Sequence, residues 1–228
     1  MDYTYADIAK MIDHSLLSPS MSLADFDAGI QVALDYDVAS VCIMPYALAR
    51  LADRLAGSTV QASTTIGFPH GGHTTAVKVA EAQRALDDGG RELDMVVNIS
   101  KVLSGDWDYV RADLAAVIGL AHAAGQKVKV IFENHYLDDD QKIRLCEICG
   151  ELSADWVKTS TGYADSGATD ADLTLMRANS PANVQVKAAG GVRTLDRLLE
   201  VRVLGVTRVG ASRTVTMLDE CRQRLGLG

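Results

Sequence analysis

The feature that most constrains the fold is a rhythm: short apolar, β-prone runs alternate eight times with longer helix-compatible stretches. The runs begin at Ile12 (IDHSLL), Ser40 (SVCIM), Gln61 (QASTTIGF), Arg91 (RELDMVVN), Lys127 (KVKVIFE), Ala154 (ADWVKTS), Val184 (VQVKAAG) and Val206 (VTRVGAS). Between them lie segments such as HTTAVKVAEAQRALDDGG from His73 and DYVRADLAAVIGLAHAAG from Asp108. Gly89, Gly90, Gly125 and Gly205 supply helix-ending glycines just ahead of the next strand. Eight strand–helix units within 228 residues define an α/β chain folded as one (β/α)8 barrel, the TIM-barrel architecture, with a short N-terminal helix. An open doubly wound sheet is the main competitor, but it needs a phosphate-binding glycine turn after an early strand, and none is present. No linker, repeat or low-complexity stretch interrupts the pattern, so residues 1–228 read as a single domain.

Composition narrows the partners. The formal net charge is −8 and no dense Lys/Arg run occurs, which argues against nucleic acid. No apolar run approaches bilayer length, so no membrane association is expected. The N-terminal MDYTYADIAKMIDH has no signal-peptide core. The expected setting is therefore the cytoplasm, with Cys42, Cys146, Cys149 and Cys221 as reduced thiols. Cys146 and Cys149 form a C-x-x-C inside a helical stretch, IRLCEICGEL, and read as packing. His70 and His73 have H-x-x-H spacing but no convergent partner set. No metal site is expected.

The middle strands carry charge where a barrel interior should be. With side chains alternating at period two, Leu93, Met95 and Val97 share one face, and Glu92, Asp94 and Asn98 the other. Val128, Val130 and Phe132 oppose Lys127, Lys129 and Glu133; Val157 opposes Lys158; Val184, Val186 and Ala188 oppose Gln185 and Lys187. Four neighbouring strands thus send charged groups inward, where each must pair or line a cavity. Glu92 and Lys129 suit a pair in the lower layers. Asp94, Lys158 and Lys187 lie nearer the carboxyl ends of their strands, where barrel active sites sit.

An amine beside a second cation in a partly buried site loses its proton more easily and becomes a nucleophile. Lys158 and Lys187 supply that arrangement, and Asp94 can move protons directly or through a water. After strands seven and eight come GGVRT, with Gly190, Gly191 and Arg193, and GASRT, with Gly210, Ser212 and Arg213. Loops at those two positions commonly bind phosphate with backbone N–H groups and a helix N-terminus. Cys42, at the end of strand two, either borders the pocket or is a small buried residue. Glu133 either orients Lys158 or balances charge, and Asp13 reads as a supporting residue. Thr159, Ser160 and Thr161 either bond substrate or satisfy the loop backbone.

TIGFPHG from Thr65, ELDMVVN from Glu92, ADWVKTSTG from Ala154 and VKAAGGVRT from Val186 together resemble the deoxyribose-phosphate aldolases, and the resemblance runs from Ile12 to the GASRT block. It implies a class I aldolase in which Lys158 forms a Schiff base, Lys187 tunes it and Asp94 belongs to the proton relay. The implied reaction is reversible cleavage of 2-deoxyribose 5-phosphate to glyceraldehyde 3-phosphate and acetaldehyde. No organic or metal cofactor is needed, and a homodimer or larger homo-oligomer is expected. Three departures stand out. Arg213 replaces a second Ser, Tyr163 follows Gly162 where some members have Lys, and the sequence stops at Gly228 without the C-terminal Tyr tail of some members. Two other readings compete: a Schiff-base aldolase for a different hydroxyaldehyde, and a non-catalytic barrel that binds a sugar phosphate.

Overall fold

The computed structural model describes residues 2–227. Eight parallel strands close into a barrel in sequence order: β1 Ile12–Leu16, β2 Ser40–Ile43, β3 Gln61–Ile66, β4 Glu92–Val96, β5 Lys127–Ile131, β6 Trp156–Lys158, β7 Gln185–Ala189 and β8 Val206–Ala211. The helices are α1 Tyr5–Ala9, α2 Leu23–Asp35, α3 Leu48–Arg54, α4 Thr75–Asp87, α5 Ile99–Leu103, α6 Trp107–Ala123, α7 Asp139–Glu151, α8 Asp170–Asn179, α9 Leu195–Val203 and α10 Thr214–Arg224. The expected short N-terminal helix is α1. It starts with a capping box, Thr4 accepting from the Asp7 N–H while Asp7 accepts from Thr4.

The outward parity builds the apolar core. Val41, Leu93, Met95, Val128, Val130, Val157 and Val186 are fully buried, within one cluster that includes Phe26, Leu51, Leu114, Val117 and Leu173 of the helices. The inward parity is polar. Register aligns Asp94 with Lys129, Lys158 with Lys187, and Lys187 with Arg208 across successive strand pairs. This barrel keeps its hydrophobic layer outside the strand ring and its charges inside.

Three inward assignments change. Lys127 is exposed at the barrel's N-terminal rim, its ammonium 5.3 Å from the Trp156 ring centre. Asn98 lies past β4 and caps α5, its side chain accepting from the Lys101 N–H at 3.2 Å. Glu133 lies two residues beyond β5 in a left-handed conformation, φ 57°.

Candidate active site

Lys158 ends β6 and Lys187 is the partner residue beside it on β7. Both are almost completely buried, yet the two amines share one acceptor. Asp94 Oδ2 lies 2.8 Å from each Nζ, and Asp94 Oδ1 lies 2.9 Å from Lys129 Nζ. Below this, Lys129 pairs with Glu92 at 2.6 Å, the pairing its position implied. Lys187 reaches Asp13 at 2.5 Å, and Asp13 in turn accepts from Arg208 at 2.5 Å. Arg208 also bonds Glu92 at 2.9 Å. The result is one connected ladder of charge through the barrel.

Its charge balance singles out one amine. Three interior carboxylates, Asp13, Glu92 and Asp94, face four bases, Lys129, Lys158, Lys187 and Arg208. Full ionisation therefore leaves one positive charge in excess where desolvation is costly. Lys129 and Lys187 each touch two or more carboxylates, which outweigh burial and hold their pKa values up. Lys158 touches Asp94 alone. Burial and the Lys187 cation push its pKa down, against the pull of Asp94. Lys158 is the amine that most readily gives up its proton. Asp13 and Asp94 stay anionic, because the facing cations override the burial that disfavours their charge.

Above these groups a cavity of about 140 Å3 opens, walled by Asp13, Ser15, Cys42, Lys158, Lys187 and Ser212, with Leu17, Thr161, Gly162, Ala189, Gly190 and Gly210 completing it. Cys42 does border the cavity, with its thiol pushed up to about 11 by burial first and the Asp94 charge second. Asp94 lies beneath, reached through the two lysines. Arg213 is the residue before α10 and makes no side-chain cap to that helix. Thr214 Oγ1 sits 2.7 Å from His14 Nδ1, and burial lowers the His14 pKa to about 4. Arg193, Gly191 and Arg213 are exposed and are not cavity walls.

Thr159 points elsewhere: its hydroxyl donates to the Ala189 carbonyl and accepts the Ala189 N–H, both at 3.0 Å, clipping β6 to β7. Glu133 does not reach Lys158 either. Its carboxylate accepts the Thr161 N–H at 3.3 Å and the Thr161 hydroxyl, fixing a residue of the cavity wall. Thr161 Oγ1 then accepts the Tyr163 N–H, and the Tyr163 hydroxyl donates to the Leu17 carbonyl at 2.8 Å. Tyr163 thereby bridges two loops over the mouth, packed edge-on to Phe68 at 5.5 Å. Sequence reasoning missed Arg208. The signal was present, since Arg208 and Gly210 share a parity, but a register irregularity at Val186/Lys187 obscures which face that parity takes. Among the described residues no group of three or more His, Cys, Asp or Glu is arranged to hold a metal ion, and His70 and His73 are both exposed.

A barrel carrying paired lysines on one buried carboxylate at its carboxyl end is built for amine chemistry on a carbonyl. Residues 8–213 match the model of the DeoC/LacD family of aldolases, and the chain belongs to that family. It is 66% identical over 226 residues to the deoxyribose-phosphate aldolase of Rhodopirellula baltica, covering 99% of this chain and 94% of that protein. The crystal structure of a putative deoxyribose-phosphate aldolase from Coccidioides immitis superposes with a TM-score of 0.92 at 35% identity, over 96% of this chain and 87% of that one. The Aeropyrum pernix deoxyribose phosphate aldolase, described as a unique tetramer, gives 0.89 at 29% identity, over 97% and 93%.

Proposed function

We propose that this barrel, as one catalytic unit, reversibly cleaves 2-deoxyribose 5-phosphate to glyceraldehyde 3-phosphate and acetaldehyde through a Schiff base on Lys158. The observation that carries the reading is the Lys158 amine, buried against one carboxylate and one cation, with its pKa pushed down. Neutral Lys158 adds to the C1 aldehyde and expels water, giving an iminium. Asp94, in contact with both lysines, belongs to the relay that removes the C3 hydroxyl proton. The C2–C3 bond then breaks, and its electron pair enters the iminium to form an enamine. Glyceraldehyde 3-phosphate leaves; protonation at C2 and hydrolysis release acetaldehyde and restore the amine.

Gly190, Gly210 and Ser212 of the cavity wall, with the exposed Gly191 beside them and the uncapped N-terminus of α10, are the proposed phosphate cradle. Arg213 contributes charge at its edge, and Lys187 and Asp13 keep Lys158 tuned. Action in the cytoplasm, in deoxyribonucleotide catabolism, and assembly into a homo-oligomer belong to the same reading. No helix among the described residues is long and apolar enough to cross a membrane.

The test is incubation with 2-deoxyribose 5-phosphate and sodium borohydride, followed by peptide mass spectrometry, with Lys158→Ala alongside. A reduced adduct on the Lys158 peptide, absent from the variant, is expected. No adduct while a control aldolase is labelled would transfer the protein to the non-catalytic sugar-phosphate-binding reading. A second reading, a different hydroxyaldehyde substrate, draws on Tyr163 and Arg213 at the mouth. A kcat/KM for unphosphorylated deoxyribose equal to that for the 5-phosphate would favour it.

A further inference from the structure

Two further cavities lie at the other end of the barrel. The two, of about 570 and 400 Å3, share Gln61, Arg91, Gly125 and Gln126 as walls and so form one groove across the N-terminal face. Its two ends differ in charge. At one end, Lys10, Arg91, Lys127 and Arg208 face a single carboxylate, Glu92. Lys10 is occupied by Asp37, Thr59 and the Val38 carbonyl, and Arg208 by Asp13 and Glu92. Arg91 and Lys127 are different. They begin neighbouring strand runs, joined by the Lys127 N–H to Arg91 carbonyl bond at 3.1 Å, and neither makes an ion pair among the described residues. At the other end the walls are Leu55, Gly57 and Gly89, just past the C-termini of α3 and α4, and the shared Gly125 lies just past that of α6. Most of the carbonyls there already accept one N–H of the following turn, but each keeps a second lone pair, and the helix ends carry partial negative charge that attracts hydrogen-bond donors and cations.

We propose that this groove is a regulatory site for a phosphate monoester. The phosphate lies between Arg91 and Lys127, and hydroxyl or amino donors on the rest of the molecule meet the helix ends. A bare anion fits one end only; a donor-rich phosphate ester fits both.

The groove is wired to the catalytic amine. Arg208 is a wall of the groove, and its guanidinium holds Asp13, a wall of the catalytic cavity. From Asp13 the ladder continues to Lys187, Asp94 and Lys158 at 2.5, 2.8 and 2.8 Å. The charged and titratable groups around Lys158 are Asp94 from β4, Lys187 from β7, Cys42 from β2, Lys129 from β5, Asp13 from β1 and Arg208 from β8, with Glu133 above. From β3 only the hydroxyls of Ser63 and Thr65 face inward. A dianion at the foot of this set offsets the interior's excess positive charge, so Lys158 keeps its proton to higher pH. Over a distance on the order of 10 Å the effect is on the order of one pH unit. The bound ester therefore inhibits at neutral pH, by about tenfold.

The consequence for activity rests on the Schiff-base reading of Lys158; the binding itself does not. The experiment compares wild type with the exposed-site variant Arg91→Ala/Lys127→Ala, titrated calorimetrically with inorganic phosphate and with a nucleoside 5′-monophosphate, which has no free aldehyde to react with Lys158. Wild type is expected to bind one more equivalent of the nucleotide than the variant, and to prefer the nucleotide to phosphate at that site. Without ligand the variant, having lost two cations at the same place, should itself show the acidic limb of its kcat/KM profile at somewhat higher pH, while on the plateau above that limb the two proteins should have equal kcat/KM. On addition of nucleotide, only wild type should show the acidic limb of its kcat/KM profile move to higher pH. Identical stoichiometry in the two proteins overturns the site, and equal affinity for phosphate and nucleotide overturns the role of the helix ends. Binding that leaves the profile in place overturns the regulation. Failure of borohydride trapping would remove the aldolase reading while leaving the binding stoichiometry to stand or fall alone.

Discussion

At the residue scale, the chemistry turns on how many carboxylates each interior amine touches. Lys129 and Lys187 have enough to remain cations; Lys158 has one carboxylate and one repelling cation. Two substitutions should move its titration in opposite directions. Lys187→Met removes the repulsion, so the Lys158 pKa rises and pH-dependent borohydride trapping shifts to more alkaline pH. Asp94→Asn removes the attraction, so the same trapping curve shifts to lower pH. Shifts in the same direction would contradict this account of the site. The three residues at its centre were legible from alternation joined to their place near the carboxyl ends of the strands; alternation alone also turned inward Lys127, which is exposed, and Lys129, which pairs with Glu92. Arg208 was not legible, because the irregularity between β7 and β8 breaks the parity count. Nor was the true partner of Glu133, which depends on a left-handed backbone turn that no periodicity signals.

Among the elements, all eight strands were legible in position and order; most of the excess lies at their carboxyl ends, though the runs from Arg91, Ala154 and Val184 also begin one or two residues ahead of β4, β6 and β7. The β-prone runs continue through Phe132, Ser160 and Ser212, but the ladder stops earlier because those residues leave it to build the cavity walls and loops. These loops are held by specific fixtures. Gly71 lies at φ 68°, and a Cβ there would be 1.7 Å from the Val97 carbonyl oxygen. Gly71→Ala therefore forces the β3–α4 loop off β4 and should lower Tm by several degrees in a thermal melt. Lys78, on α4, is fully buried and bonds both Asp113 of α6 at 2.6 Å and the Val96 carbonyl at 2.9 Å. Lys78→Ala strands the Asp113 charge and should cost about 3–5 kcal/mol in chemical denaturation. Lys78→Met/Asp113→Leu should recover much of that loss, since it leaves no unpaired charge.

For the whole molecule, an interior made of salt rather than hydrocarbon links stability to pH. Asp13 and Asp94 have folded pKa values held down by the surrounding cations. Their contribution is complete above the unfolded carboxylate value of about 4, and it is lost progressively as pH falls from there through the folded values. Urea unfolding of the wild type should weaken steeply over that acidic range, and Asp94→Asn should show a shallower decline. The ladder also has a consequence for when the chain becomes an enzyme. Asp13 comes from the first strand and Arg208 from the last, and the two meet across the seam where the ring shuts. A nascent chain whose eighth strand is still inside the ribosome holds Lys158 in a different electrical setting, so activity arrives with the last strand rather than growing with length.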